Sequence, residues 1–227
     1  MLGYLLLDWK RRRLLRKAPP GPMRDYLARP FPAAGSDWRA VEFLAMDLET
    51  TGLDHRKDVI LSFGHVTLSG GSIVLASSEH RLVRIDRDIP AASAVIHQIT
   101  DDEAAQGEDL GVILADLLAV LAGKVLIAHH AHIETTFISR ACREIYGLPI
   151  PVPVVDTQVL AQRQLERRQI AYKGSDLRLH ALGERYNLPR YAAHNAFYDA
   201  LSAAELFLAQ VANMGDGRPP TLRSLLA

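Results

Sequence analysis

Apolar and polar positions change their repeat near residue 41. Over residues 42–49, Phe43, Ala45, Asp47 and Glu49 fall on one face and Leu44, Met46 and Leu48 on the other, the two-residue repeat of a strand. Residues 59–68 and 72–84 read as two further strands, with Gly70-Gly71 as the turn between them. Thr100-Asp-Asp-Glu103 has capping-box spacing and opens a helical region. Residues 110–121 then predict a strongly apolar helix, 125–128 a short buried strand, and 132–146 a helix with one apolar stripe. Another buried strand follows over 152–155 and a polar helix over 157–168. Ser175 is placed to cap a helix reaching about residue 187, ahead of Pro189, and 195–213 forms the last helix. Three strands followed by helix–strand alternation predict an α/β fold, a mixed sheet with helices on both faces.

The first 40 residues follow a different pattern. Leu2, Leu5, Leu6 and Trp9 have helical spacing, and Lys10–Arg13 with Arg16 and Lys17 make a basic run. Ala18-Pro-Pro-Gly-Pro22 stops that helix, and Pro30-Phe-Pro32 breaks the chain again. The expected division is an arm at 1–40, a domain at 41–213 and a tail at 214–227. Packing on the domain or on a second subunit would cover the arm's apolar stripe. Contact with nucleic acid or an anionic membrane surface is the alternative.

Charge sharpens this division. The arm holds nine Lys/Arg and three Asp/Glu, a balance of +6, while the whole chain of 227 residues is formally neutral. The rest is therefore acidic, and carboxylates on a body that must meet a polyanion suit a divalent metal. One cysteine, Cys142, leaves no intrachain disulfide and suits a reducing compartment. With no apolar run of membrane-span length and no secretory signal pattern, the expected location is cytoplasmic.

Four carboxylates and a histidine carry the candidate chemistry. Asp47 and Glu49 project side by side from the end of a strand, where an α/β sheet opens to ligands. Glu134 lies on the apolar stripe of Phe137, Ile138, Ala141 and Ile145. Asp199 lies on the inward face marked by Ala196, Ala200, Ala203 and Phe207, with His194 at the entrance of the same helix. Read singly, each has a bland alternative: a solvated strand end, a helix-capping acid, a core histidine. The cluster His129-His130-Ala-His132 invites a zinc reading, but three rings in one short turn do not converge easily on an ion.

Asp47-Leu-Glu-Thr-Thr-Gly52, Ala128-His-His-Ala-His-Ile-Glu134 and His194-Asn-Ala-Phe-Tyr-Asp199 resemble, in order and spacing, the three motifs of the DnaQ-like exonucleases. That family includes the proofreading ε subunit of bacterial replicative polymerase. The resemblance covers roughly residues 41–212. His194, five residues before the last acid, marks the histidine (DEDDh) branch, and Val155-Asp156-Thr157 and Ile96-His97-Gln-Ile-Thr100 resemble secondary signatures. The second motif departs from the pattern: Glu134 stands where Asp is usual, Ile133 where Phe is usual, and His130 where Asn is usual.

The resemblance implies an RNase H-like fold with a five-stranded mixed sheet. It implies a 3′→5′ exonuclease that releases nucleoside 5′-monophosphates from a single-stranded 3′ end, DNA in preference to RNA, in repair or proofreading. It assigns Asp47, Glu49, Glu134 and Asp199 to two Mg²⁺ or Mn²⁺ ions and His194 to the general base. Thr50, Leu53 and His97 would contact the substrate. Arg163, Arg167, Arg168, Lys173 and Arg178 offer positive charge for an incoming strand, or simply a solvated helix face. A homodimer and a polymerase complex are the assemblies considered. Two rival readings are a catalytically weak nucleic-acid-binding or polymerase-associated module, and an enzyme that trims RNA or oligonucleotides.

Overall fold

The computed structural model describes residues 2–86, 88–214 and 218–227, with the side chain of Leu2 outside the description. In chain order the helices and strands are α1 (Leu2–Leu15), α2 (Pro22–Ala28), β1 (Phe43–Thr50), β2 (Ile60–Ser69) and β3 (Ser72–Leu82). Then come α3 (Ala91–His97), α4 (Asp101–Ala105), α5 (Leu110–Leu121), β4 (Val125–Ala128) and α6 (His132–Tyr146). The chain continues through β5 (Val154–Asp156), α7 (Thr157–Arg167), α8 (Leu179–Arg185), α9 (Ala196–Ala212) and α10 (Leu222–Leu225).

The strands form one sheet in the order β3-β2-β1-β4-β5. β1 runs antiparallel to β2 and parallel to β4, and β4 runs parallel to β5, so the sheet is mixed as expected. Alternation along β1 divides the core. Leu44, Met46 and Leu48 join Leu114, Leu118 and Leu121 of α5 and Phe137 and Ile138 of α6 on one face. Phe43 and Ala45 join Ala203, Ala204 and Phe207 of α9 on the other. Phe207 anchors that second face between Phe43, at a centroid distance of 5.1 Å, and Trp38, at 5.7 Å. Burying a side chain of this size stabilises by about 1.5–3 kcal/mol.

The strand turn at Gly70-Gly71 takes φ values of 59° and 78°, a left-handed geometry that glycine adopts without a Cβ clash. Thr100 and Glu103 form the reciprocal capping box, yet α4 is only five residues long. The helix expected to start at Ser175 is divided. A 3₁₀ turn over Gly174–Leu177 ends at Arg178, whose extended backbone (φ −66°, ψ 148°) starts α8. At the head of the 3₁₀ turn the Asp176 carboxylate accepts the Lys173 N–H at 2.8 Å, a capping contact.

The arm folds back onto the domain through α2, whose Met23, Tyr26 and Leu27 fall at helical spacing. Met23, Tyr26 and Leu27 of α2 are buried among residues of α5, and the Tyr26 hydroxyl donates to Pro151 O at 2.8 Å. The tail returns to the same end. The N–H groups of Leu222 and Arg223 donate to Ser36 O and Ala34 O, and that of Ala227 donates to Val154 O of β5.

Candidate active site

β1 sets the position of the first two carboxylates. Asp47 and Glu49 share the face of Phe43 and Ala45, the side covered by α9. Asp47 pairs across the ladder with Gly64 of β2. A Cβ on Gly64 would lie 2.1 Å from the backbone of Ala196 and Phe197, so its absence lets the first turn of α9 rest directly on the sheet. That approach delivers Asp199 to β1. Ligand-capable oxygens of Asp47, Glu49 and Asp199 lie within 4.8 Å of one another.

The entrance to α9 is fixed from both sides. Asn195 caps the helix by accepting the N–H groups of Phe197 and Tyr198. His194 adopts a left-handed φ of 64°, and its backbone N–H donates to Asp199 Oδ2 at 2.8 Å. The His194 ring is thereby exposed beside the carboxylates, edge-on to His97 at a centroid distance of 6.1 Å. His97 ends α3 and places Nδ1 2.5 Å from Glu49 Oε2. Ser93 holds α3 over the end of β1 by donating to Thr50 O at 3.2 Å.

Glu134 arrives from the opposite side, on the first turn of α6, and only 2% of it is exposed. It adjoins Asp47 and Glu49 electrostatically but lies outside the 4.8 Å trio. Asp156 clamps the turn that delivers it. This carboxylate accepts the N–H groups of His130 at 3.1 Å, Ala131 at 2.9 Å and Gln158 at 2.9 Å. The rings of His129 and His130 are engaged by Thr157 Oγ1 and Gln158 Oε1.

The electrostatics are those of negative charge confined together. Burial, then Glu134, Glu49 and Asp199, raise the Asp47 carboxyl well above its usual range. Burial pushes Glu134 up to about 8, with Asp156 and Glu49 adding to it against a backbone hydrogen bond. Asp199 is raised by burial and Glu49, while the His194 N–H acts in the other direction. Glu49 Oε1 and Glu134 Oε2 are buried without a hydrogen-bond partner among the described residues. A divalent cation would satisfy these oxygens and remove the repulsion, so the residues present fit a metal.

The exonuclease family model RNase_T matches residues 44–207. The chain belongs to this exonuclease family. Among curated relatives, DNA polymerase III subunit epsilon of Treponema pallidum is 32% identical over 197 residues, covering 82% of this chain and 87% of the relative. DNA polymerase III PolC-type of Thermotoga maritima is 30% identical over 166 residues, 73% of this chain but only 12% of that protein. A solved structure of exonuclease X in complex with 5′ overhanging duplex DNA shares the fold, with a TM-score of 0.59 at 23% identity. That match covers 81% of this chain and 98% of the other. The enzyme is a 3′–5′ exonuclease of DnaQ type, and its cluster of Asp47, Glu49 and Asp199 is consistent with the family's metal site.

The expected substrate residues occupy different settings in this exonuclease. Leu53 projects from the turn after β1 with 77% of its surface exposed. Thr50 is buried and its hydroxyl donates to Gly52 O at 2.7 Å, so it shapes that turn. Arg163 donates to Leu226 O of the tail, and Arg168 donates to Asn213 O at the end of α9. Sequence reasoning missed α3 as a helix, Gly64, and His180, whose Nε2 lies 3.9 Å from Asp199 Oδ1. An isolated glycine inside an apolar strand was a usable signal for Gly64; nothing in the local spacing marks His180.

Proposed function

We propose that this exonuclease hydrolyses the terminal phosphodiester at the 3′ end of single-stranded nucleic acid, DNA in preference to RNA, releasing nucleoside 5′-monophosphates. Supporting this is the convergence of Asp47, Glu49 and Asp199 within 4.8 Å beside the exposed ring of His194. Residues 41–213 form the catalytic unit, and the arm and tail brace the far end of the sheet. Asp47, Glu49, Glu134 and Asp199 would hold two Mg²⁺ or Mn²⁺ ions, which supply charge neutralisation at the phosphate and acidify the attacking water.

The remaining work belongs to the chain's own residues. His194 accepts the proton of the attacking water at its ring. Its backbone N–H on Asp199 ties the position of the base to that of a metal ligand. His97 orients Glu49 from the other side of the cleft and borders the terminal nucleotide. Leu53 offers an apolar surface against the terminal base, and the turn shaped by Thr50 sets its height. Glu134 stands on α6 where the family usually has Asp, and from outside the 4.8 Å trio it would complete the metal site from that side.

Release of mononucleotides from a 5′-labelled single strand in Mg²⁺ or Mn²⁺ tests this reading. Degradation should begin at the 3′ end, stop at a blocked 3′ terminus, and disappear in excess chelator. Full hydrolysis in chelator would overturn the metal assignment. Binding without hydrolysis under every metal condition would favour the non-catalytic module.

A further inference from the structure

The outer face of α1 is left uncovered by the other described residues. Its inner face is engaged: the Tyr4 hydroxyl donates to Pro32 O at 2.6 Å, and the buried Arg11 guanidinium donates to Leu27 O at 2.6 Å. The outer face begins with Leu5, Leu6 and Trp9, which are 58%, 55% and 58% exposed. One turn later the same face carries Arg13 and Arg12, the latter paired with Asp8 at 2.7 Å, with Lys10 at its margin and Arg16 and Lys17 just past the helix end, all exposed. The Arg13 guanidinium sits 5.4 Å from the centre of the Trp9 ring. An outward helix face is ordinarily polar throughout, whereas this one is apolar over its first turns and cationic over its last.

Position separates this face from the candidate active site. Tyr4, Leu5 and Leu7 join Val152, Val154 and Leu226 around a groove of about 510 Å³ where β5 begins. β5 runs parallel to β4, whose last residue leads into the turn before α6 and Glu134. The groove and α1 therefore lie at the opposite end of the sheet from the carboxylates.

We propose that α1 is an interfacial anchor that docks the exonuclease on an anionic phospholipid bilayer. Leu5, Leu6 and Trp9 enter the boundary between headgroups and acyl chains, and the basic residues meet lipid phosphates. No helix among the described residues is long and apolar enough to cross a membrane, so the attachment is peripheral. A nucleic-acid strand would match the cations but leave the three apolar side chains in water, and it would lie remote from the carboxylates. A second copy docked about a twofold axis through the apolar half would cover Leu5, Leu6 and Trp9 but leave the cations without counter-charge at the two ends of the interface. An anionic bilayer answers both halves of the face. Docked this way, the enzyme turns its carboxylate cleft away from the lipid.

The test uses the full chain, with vesicles of phosphatidylcholine alone or of phosphatidylcholine and phosphatidylserine in equal amounts. The protein should co-sediment with the mixed vesicles only, and high salt should release it. Arg13→Ser with Arg16→Ser should weaken partitioning by about five-fold per removed cation. Leu6→Ser with Trp9→Ser should weaken it by about ten-fold or more. Both pairs of substitutions should leave hydrolysis of a short oligonucleotide unchanged. Equal binding to the two vesicle types, or binding to neither, would overturn the proposal. So would loss of oligonucleotide affinity in these variants, or their conversion from dimer to monomer in gel filtration, since the face would then serve nucleic acid or self-association.

Discussion

Glu134→Gln should stabilise the metal-free protein above neutral pH while removing its response to metal. The native carboxyl titrates near pH 8, against an ordinary value of 4.5. Between those values the folded chain keeps a proton that the unfolded chain has released. Stability is therefore full below pH 4.5 and is lost as pH rises through 8. At about 1.4 kcal/mol per pH interval, the loss reaches about 5 kcal/mol once Glu134 is forced to ionise. Glutamine keeps the shape and cannot ionise, and its amide can donate to the neighbouring carboxylates. For a chain of this size 1 kcal/mol corresponds to roughly 2–4 °C in Tm. Thermal unfolding in chelator should give similar Tm values for both proteins at pH 5, with the variant higher by about 10–20 °C at pH 9. Added Mn²⁺ should raise Tm of the wild type and do much less for the variant. Parallel pH profiles for the two proteins would refute the electrostatic account of Glu134.

Four further outcomes follow from the same geometry. His129 is held down to about 4 by burial, so its contribution is present above its ordinary 6.5 and is lost as pH falls through 4. His129→Asn should accordingly flatten the acid limb of urea-unfolding stability, worth up to about 3 kcal/mol. His194→Ala should lower turnover by about 10²–10⁴ with the metal-induced rise in Tm retained, whereas Asp47→Asn should lose both. His180→Ala should change turnover only a few-fold, and a larger fall in single-turnover rate would give His180 the base's role. Gly64→Ala forces a methyl into the backbone of Ala196. It should cost about 3 kcal/mol or more in urea unfolding and abolish hydrolysis by lifting α9 from the sheet.

What was legible in the sequence was whatever repeats or is punctuated locally. The limits of α5, β4 and α6 coincide with their apolar runs, because each buries a continuous stripe and ends at a glycine or turn. The split of β1 into two faces held through to the residue, which placed Asp47 and Glu49 under α9. What was not legible depends on contacts between distant segments. α2 carries helical spacing only at Met23, Tyr26 and Leu27, between proline breaks, and owes its place to Tyr26 reaching Pro151, 125 positions away. α3 has no strong cap and sits where it does because Ser93 meets the end of β1. The place of Glu134 outside the carboxylate trio depends on where α6 sits against the sheet, which spacing along the chain does not encode.

The sheet's two edges have unequal prospects for pairing with other chains. β5 is three residues long, follows Pro151 and Pro153, which carry no N–H, and has the Val154 carbonyl taken by the tail. Little remains there for an incoming strand to bond. β3, eleven residues long, forms the other edge and leaves Val74 and Leu75 at 40% and 60% exposure. Its protection is a register shift opposite His65–Thr67, where the Ser77 hydroxyl takes the Thr67 N–H, together with the charges of Glu79 and Arg81 farther along. Irregularity and charge are common defences of an open edge. Aggregation of a partly unfolded chain would thus start from the Val74–Leu75 stretch, on the edge opposite the one that the tail seals.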